Sequence, residues 1–244
     1  MYSAQTRAAA LKMLEAGAAV SAVSRATSVS RAAIRDWRDR PGHVGLTECP
    51  QCHSTALHDA AYSGLLGFYL GDGCISAAAR CHVLRVSCDA RLPRIMEEVE
   101  RLINAVRPAG RVFRVRAPGV VVVQSNRVHW PCLFPQVGPG RKHERPIRLA
   151  AWQEDAVRAN PAAFLRGLFH SDGSRSANST RSPAGKRYVY PRWQFSNRSE
   201  DIHRMCQWAL DLSGIQWTRS NRWTTSVSTR GGVARLDGLI GLKS

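Results

Sequence analysis

One stretch of this chain is spelled twice, and that repetition constrains the fold more than any local signal. Residues Tyr62 to Gly73 read YSGLLGFYLGDG, and residues Ala162 to Gly173, one hundred positions on, read AAFLRGLFHSDG. Aligned on their last two residues, the copies set Leu65 over Leu165, Gly67 over Gly167 and Asp72 over Asp172. Each copy predicts a short helix, apolar on nearly every side, closed by an acid and then by a glycine expected to leave the helix with positive φ. A helix that is apolar all round must be buried. Small residues at Gly64, Gly67 and Gly71 in one copy, and at Gly167 and Ser171 in the other, let two such helices approach closely. Their pairing brings Asp72 and Asp172 together at one end.

Carboxylates at two helix C-termini sit against the negative end of each macrodipole and repel one another. A divalent cation answers both problems. The repeat therefore predicts an oxygen-rich site for a hard metal, Mg²⁺ or Mn²⁺, with one Asp from each copy. Charge points to the partner: 35 Lys plus Arg against 18 Asp plus Glu give +17, a balance suited to a polyanion. Only four of those cations are lysines, Lys12, Lys142, Lys186 and Lys243. No apolar run reaches the roughly 18 residues a membrane span needs, and no signal-type segment opens the chain, so a cytoplasmic, nucleoid-associated protein is expected. Seven scattered cysteines fit reduced thiols rather than a disulfide framework.

Ahead of the repeats, Thr6 to Gly17, Ser21 to Ala26 and Arg31 to Asp39 predict three helices, the last capped by Ser30 after the turn Thr27-Ser28-Val29. Val20, Val23, Val29, Ile34 and Trp37 would close a small core. This is a helix-turn-helix pattern, expected over residues 1–45, with Ser30, Arg31, Arg35 and Arg38 able to reach bases or phosphates. Arg40-Pro41-Gly42 starts a linker, residues 46–60, holding Cys49-Pro50-Gln51-Cys52. That spacing is half of a structural zinc site, for which His53, His58, Cys74, Cys81 and Cys88 are the nearest further ligands; thiols without metal are the preferred reading.

After Gly73, strands are predicted at His82–Cys88, Arg111–Arg116 and Val120–Ser125, with a helix at Arg91–Val106 between the first two. A Gly/Pro-rich loop with a basic tip, Gly138 to His143, follows. The second copy retraces this order: a strand at Arg187–Ser196, a helix capped by Ser199 and running to Leu212, strands at Gln216–Arg219 and Trp223–Thr229, and a last helix from about Val233. Ser174 to Gly185 is expected to be a polar loop peculiar to the second copy.

The skeleton L-x-G-x-x-x-x-D-G, kept at Leu65 to Gly73 and again at Leu165 to Gly173, resembles the motif of the LAGLIDADG homing endonucleases. The resemblance covers about residues 60–244 and implies an α+β fold: two pseudo-symmetric αββαββα repeats, residues 61–152 and 153–244, whose saddle-shaped antiparallel sheets lie on DNA. The small all-α module precedes them. It implies metal held by Asp72 and Asp172, with Gly71 and Ser171 beside them, above the minor groove. Lys142 and Lys243 lie 70 and 71 residues beyond their acids. They match by position the lysine that the family keeps near its metal site, and Gln194 matches a pocket-lining Gln whose first-half equivalent is Arg85. On the strands the family uses for base contact stand Arg85, Arg111, Arg114, Arg116, Arg192, Arg219 and Arg222.

The implied activity is site-specific cleavage of double-stranded DNA at a long target by a monomer. Phosphodiester hydrolysis needs an activated water and neutralised phosphoryl oxygens, which metal ions and the two lysines would supply, with Gln194 orienting water. Two alternatives stay open: a non-catalytic DNA-binding regulator of the same fold joined to a helix-turn-helix, and an RNA maturase.

Overall fold

The computed structural model describes residues 4–39, 49–53, 56–108, 110–241 and 243. It divides into two units, residues 1–56 and 57–244.

In the first unit, α1 (Ala4–Glu15), α2 (Val20–Thr27) and α3 (Arg31–Asp39) close around Ala10, Val23, Val29 and Ile34, with Val20 and Trp37 against them. Ser28 makes the turn between α2 and α3 with φ of 55°, the one positive φ outside glycine among the described residues. Two hydroxyls hold that turn: Ser24 Oγ donates to Val29 O at 2.7 Å and Thr27 Oγ1 to Val23 O at 2.7 Å. A one-turn α4 (Pro50–His53) follows. Arg40-Pro41-Gly42, read as the start of the linker, lies outside the described residues.

The second unit is built on α5 (Asp59–Leu70) and α9 (Pro161–Asp172), the two copies of the repeat. Every residue from Ala61 to Leu70 is buried, as an all-apolar helix requires. The two helices cross backbone against backbone: a Cβ at Gly67 would stand 3.0 Å from Gly167 Cα and 2.9 Å from Leu168 N, and one at Gly167 would run into Gly64 O. After α5 come β1 (Gly73–Ala78), β2 (Cys81–Asp89), α6 (Pro93–Val106), β3 (Val112–Ala117) and β4 (Val120–Arg127). After α9 come β5 (Gly173–Arg181), β6 (Arg187–Ser196), α10 (Glu200–Leu212), β7 (Thr218–Asn221), β8 (Thr224–Val227) and α11 (Arg230–Ile240). Each set forms a four-stranded antiparallel sheet, β1-β2-β4-β3 and β5-β6-β8-β7. The equivalence is kept in register, since Gly73 pairs with Val86 and Gly173 with Phe195. Leu84 and Val86 of one sheet, and Trp193 and Phe195 of the other, send their side chains into a core shared with the helices.

Three expectations are corrected. Ser174 to Arg181 is not a polar loop but most of β5, and its counterpart β1 is present in the first half. Both strands are poor in alternating apolar residues because each is an edge strand held by backbone pairing to one neighbour. Gly73 and Gly173 do not have positive φ; Gly173 is extended at −92°, 151°. They are glycines for clearance, because a Cβ at either would collide with the backbone of Tyr69 or Phe169 one turn back. Between the halves the chain also forms α7 (Trp130–Leu133), a 3₁₀ turn at Lys142–Glu144, and α8 (Ala151–Ala159), inside which the expected boundary between repeats falls. α8 is tied to α5 by Ser63 Oγ donating to Ala156 O at 2.9 Å and Gln153 Nε2 donating to Tyr62 OH at 2.6 Å.

Gly67→Ala is expected to cost at least about 3 kcal/mol, because the methyl meets backbone that cannot yield. Gly238→Ala, on open helix surface with nothing within 4 Å, should instead gain roughly 0.5–1 kcal/mol. Urea unfolding of the two variants checks the pair, and equal effects would refute the close crossing.

Candidate metal centre and nucleic-acid interface

The tight crossing continues to the ends of both helices. A Cβ placed on Gly71 would stand 2.9 Å from Ser171 Oγ and 3.2 Å from Asp172 Oδ2, so the last turns of α5 and α9 meet where the two acids emerge. Burial pushes the Asp172 carboxyl up to about 6, and the neighbouring charge of Asp72 adds to it. The protein packed around Asp72 raises its carboxyl too, although the residue is open to solvent, and the Lys243 and Lys142 ammoniums pull it back. Asn197 Nδ2 donates to Asp172 Oδ2 at 2.7 Å, and Asn197 Oδ1 accepts from Ser199 N–H at 2.7 Å. Sequence reasoning missed Asn197. It carries no spacing signal, and only the end of β6 brings it under the acid.

Each lysine closes the helix of its own half. Lys142 Nζ donates to the carbonyls of Tyr69 (2.5 Å), Leu70 (2.7 Å), Gly71 (2.7 Å) and Gly73 (2.9 Å). Lys243 Nζ reaches those of Phe169 (3.5 Å), Ser171 (3.2 Å) and Gly173 (2.8 Å). A helix end leaves carbonyls without partners at the negative pole of its dipole, and an ammonium answers both. Burial nevertheless depresses Lys142 to about 8, against the pull of Asp172 and Asp72. Burial likewise lowers Lys243.

This donor set suits a hard divalent cation. Two carboxylates whose charges oppose one another stand beside Ser171 Oγ, a buried hydroxyl with no hydrogen-bond partner among the described residues, while the Gly71 and Ser171 carbonyls expected to join them each accept from a lysine ammonium. His170, just ahead, is turned the other way: its Nδ1 lies 3.3 Å from Glu98 Oε2, and Arg166 grips the same carboxylate.

The arginines divide by sheet face. Side chains alternate along a strand, so β3 residues opposite core-facing Val121 and Val123 of β4 share that face. Arg116 and Arg114 are those residues, and Arg114 is bound to Glu100 of α6 at 2.5 and 2.8 Å. Arg219 repeats this in the second half, opposite buried Thr225 and 2.8 Å from Glu200 of α10. The expectation that Arg114, Arg116 and Arg219 line a binding face is therefore corrected: the core claims the partner strand's register. Arg85 and Arg192, with Gln194, do occupy the open faces, and Arg85 is bonded to Ser76. Arg111 is exposed just before β3, and Arg222 stacks on Trp223 with 4.4 Å to the ring centroid.

In the first unit Arg31 and Arg35 are exposed on one side of α3. Arg38 is exposed but bonded to Asp39 at 2.8 Å, and Ser30 Oγ accepts from Ala33 N–H at 3.3 Å as a helix cap. Cys52 N–H donates to Cys49 O at 3.1 Å, in the turn that opens α4. Of the further zinc ligands expected for that pair, Cys88 is buried in the core of the second unit and His58 Nδ1 caps α5 by accepting from Ala61 N–H.

Comparison with solved structures finds chains similar in fold to this one. Its structural neighbours are LAGLIDADG homing endonucleases. They include the meganuclease I-SmaMI bound to uncleaveable DNA, at 11% identity over 77% of this chain and 84% of that one, TM-score 0.49. Others are I-DmoI in complex with DNA and Mn, 12% identical over 75% and 98%, TM-score 0.48, and I-AabMI bound to uncleaved DNA, 12% identical over 73% and 82%, TM-score 0.47. No family model and no curated protein matches the chain. Among the described residues no helix is long and apolar enough to cross a membrane.

Because folding raises the Asp172 carboxyl from 3.8 to about 6, the folded chain holds that proton more tightly than the unfolded one. The site thus costs stability that is absent below pH ~4 and fully present above pH ~6, on the order of 3 kcal/mol. In buffer with chelator, Asp172→Asn should raise the melting temperature at pH 7.5 by about 2–4 °C per kcal/mol relieved and flatten its fall between pH 4 and 6. A lower melting temperature at both pH values would show instead that the carboxylate stabilises the helix ends.

Proposed function

We propose that the chain is a divalent-metal-dependent, site-specific endonuclease that hydrolyses both strands of double-stranded DNA and works as a monomer. The observation that carries this reading is the meeting of Asp72 and Asp172 at the ends of two crossed helices, between two sheets with open faces. Two carboxylates that oppose each other's ionisation are costly to keep together, and a bound cation turns that cost into affinity. The monomer follows because one chain supplies both halves of the site.

Asp72 and Asp172, with the Gly71 and Ser171 carbonyls, would hold Mg²⁺ or Mn²⁺. When bound, such ions lower the pKa of an attacking water and neutralise charge on the phosphoryl oxygens. The rest belongs to the chain's own groups. Asn197 fixes the orientation of the Asp172 carboxylate through its 2.7 Å hydrogen bond. Lys142 and Lys243 place positive charge beside each acid, where negative charge develops on the scissile phosphate and the departing 3′ oxygen. Gln194 stands on the open face near the end of β6, where its amide can orient water or a base edge. Exposed Arg31 and Arg35 give the three-helix unit a basic helix face for phosphate or base contact, which supports its use as an added DNA-binding module. A net charge of +17 supplies the attraction to DNA.

With Mg²⁺, the protein is expected to cut members of a random-sequence duplex library, and Asp72→Asn or Asp172→Asn should each reduce cleavage by about 10³-fold or more while duplex binding in chelator is kept. Tight binding of a selected duplex with no nicking in Mg²⁺ or Mn²⁺ would establish the regulator instead. Deleting residues 1–45 should weaken binding and lower the salt slope by the few phosphate contacts that module makes, without abolishing cutting. Unchanged affinity would give the module another role.

A further inference from the structure

The two sheets present unlike open faces. In the second, the residues pointing away from the core are almost all hydrogen-bonding: Ser176, Asn178, Tyr190, Arg192, Gln194 and Ser226, set by the pairings Ser176 with Arg192, Asn178 with Tyr190 and Gln194 with Ser226. In the first, Val121 and Val123 of β4 face the core, so Val120, Val122, Gln124 and Asn126 face outward. Opposite them on β3 stand Val115, paired with Val122, and Phe113, paired with Gln124. On β2, Val83 pairs with Asn126. Val83 is buried at 5% exposure, but four further apolar side chains on this face, Phe113, Val115, Val120 and Val122, stay half-buried to exposed, and none belongs to the core cluster. Phe113 is 39% exposed and Val115 47%.

A strongly basic chain has a plain use for arginines here, yet β3 sends Arg114 and Arg116 to the reverse side. What remains on the open face is apolar surface bordered by Gln124, Asn126 and Arg85. The face runs on from β1, which leaves directly from Asp72, so whatever lies across the acid pair lies along this sheet too. In the major groove of DNA the one apolar group a base presents is the thymine 5-methyl, and the amides that best match its partner adenine are those of Asn and Gln.

Resting on the nuclease reading above, we infer that the first sheet recognises a thymine-rich half-site by packing Phe113, Val115 and Val122 against thymine methyls, with Gln124 and Asn126 reading the adenines between them. The second sheet reads its half-site by hydrogen bonds. The target is therefore asymmetric in chemistry as well as in sequence.

Deoxyuridine tests this, because it removes the methyl and leaves base pairing intact. The full chain is used to select a duplex from a random library in Ca²⁺, and thymines are then replaced by deoxyuridine in one half-site at a time. Each methyl lost under the first sheet should weaken binding about fourfold, and two about tenfold or more, whereas the other half should change less than about twofold. Val115→Asn with Val122→Asn removes every methyl from those two positions, and should remove the deoxyuridine effect at the base pairs beneath them and relax thymine selection there. Salt dependence should stay unchanged. If neither half responds to deoxyuridine, or the double variant selects the same half-site as the parent, the inference fails while the nuclease reading stands. If no duplex is bound at all, that reading fails first. A dimer by sedimentation at micromolar concentration that the double variant converts to monomer would assign the face to a second copy of this chain and overturn the inference.

Discussion

The backbone contact between α5 and α9 is what the rest of the second unit depends on. Gly67 and Gly167 remove side chains where the helices cross, so the two axes come as near as bare backbones allow. That closeness cannot be supplied by packing larger residues, since a single methyl at Gly67 meets Leu168 N and Phe164 O. Everything placed by the helix ends inherits this rigidity: the acids, the lysines that cap each end, and the first strand of each sheet.

The price of that arrangement is electrostatic. Crossing two helices so tightly sets both negative dipole ends and two carboxylates into one small volume. The chain offsets part of this with Lys142 and Lys243, which satisfy the terminal carbonyls, and with Asn197, which donates to Asp172. The remaining frustration is visible as an Asp172 carboxyl pushed up to about 6 and a Lys142 ammonium depressed to about 8.

Pseudo-symmetry also explains features that look incidental one at a time. Arg114 with Glu100 and Arg219 with Glu200 each tie a strand to the helix before it in their own half, although Glu100 stands in the middle of α6 and Glu200 is the first residue of α10. Asymmetry is then informative, because it marks where the halves differ: Asp172 has a side-chain donor in Asn197, and one open sheet face is apolar while the other is polar.

The repeated motif, read as sequence, determined a good deal: two buried helices, their close pairing through small residues, the acids brought to one end, and the lysines at matching distances. These follow from local chemistry and spacing, since an all-apolar helix has nowhere to go but inside. The sequence pattern did not reveal β1 and β5, whose pairing is supplied by a neighbouring strand rather than by their own side chains. Nor did it assign faces correctly for Arg114, Arg116 and Arg219, because a strand's facing is set by the register of its partner and not by its own letters. Asn197 beneath Asp172, and the apolar open face of the first sheet, likewise existed only once strands distant in the chain were laid side by side. Tertiary structure decided them because each depends on which of two faces the core has already taken.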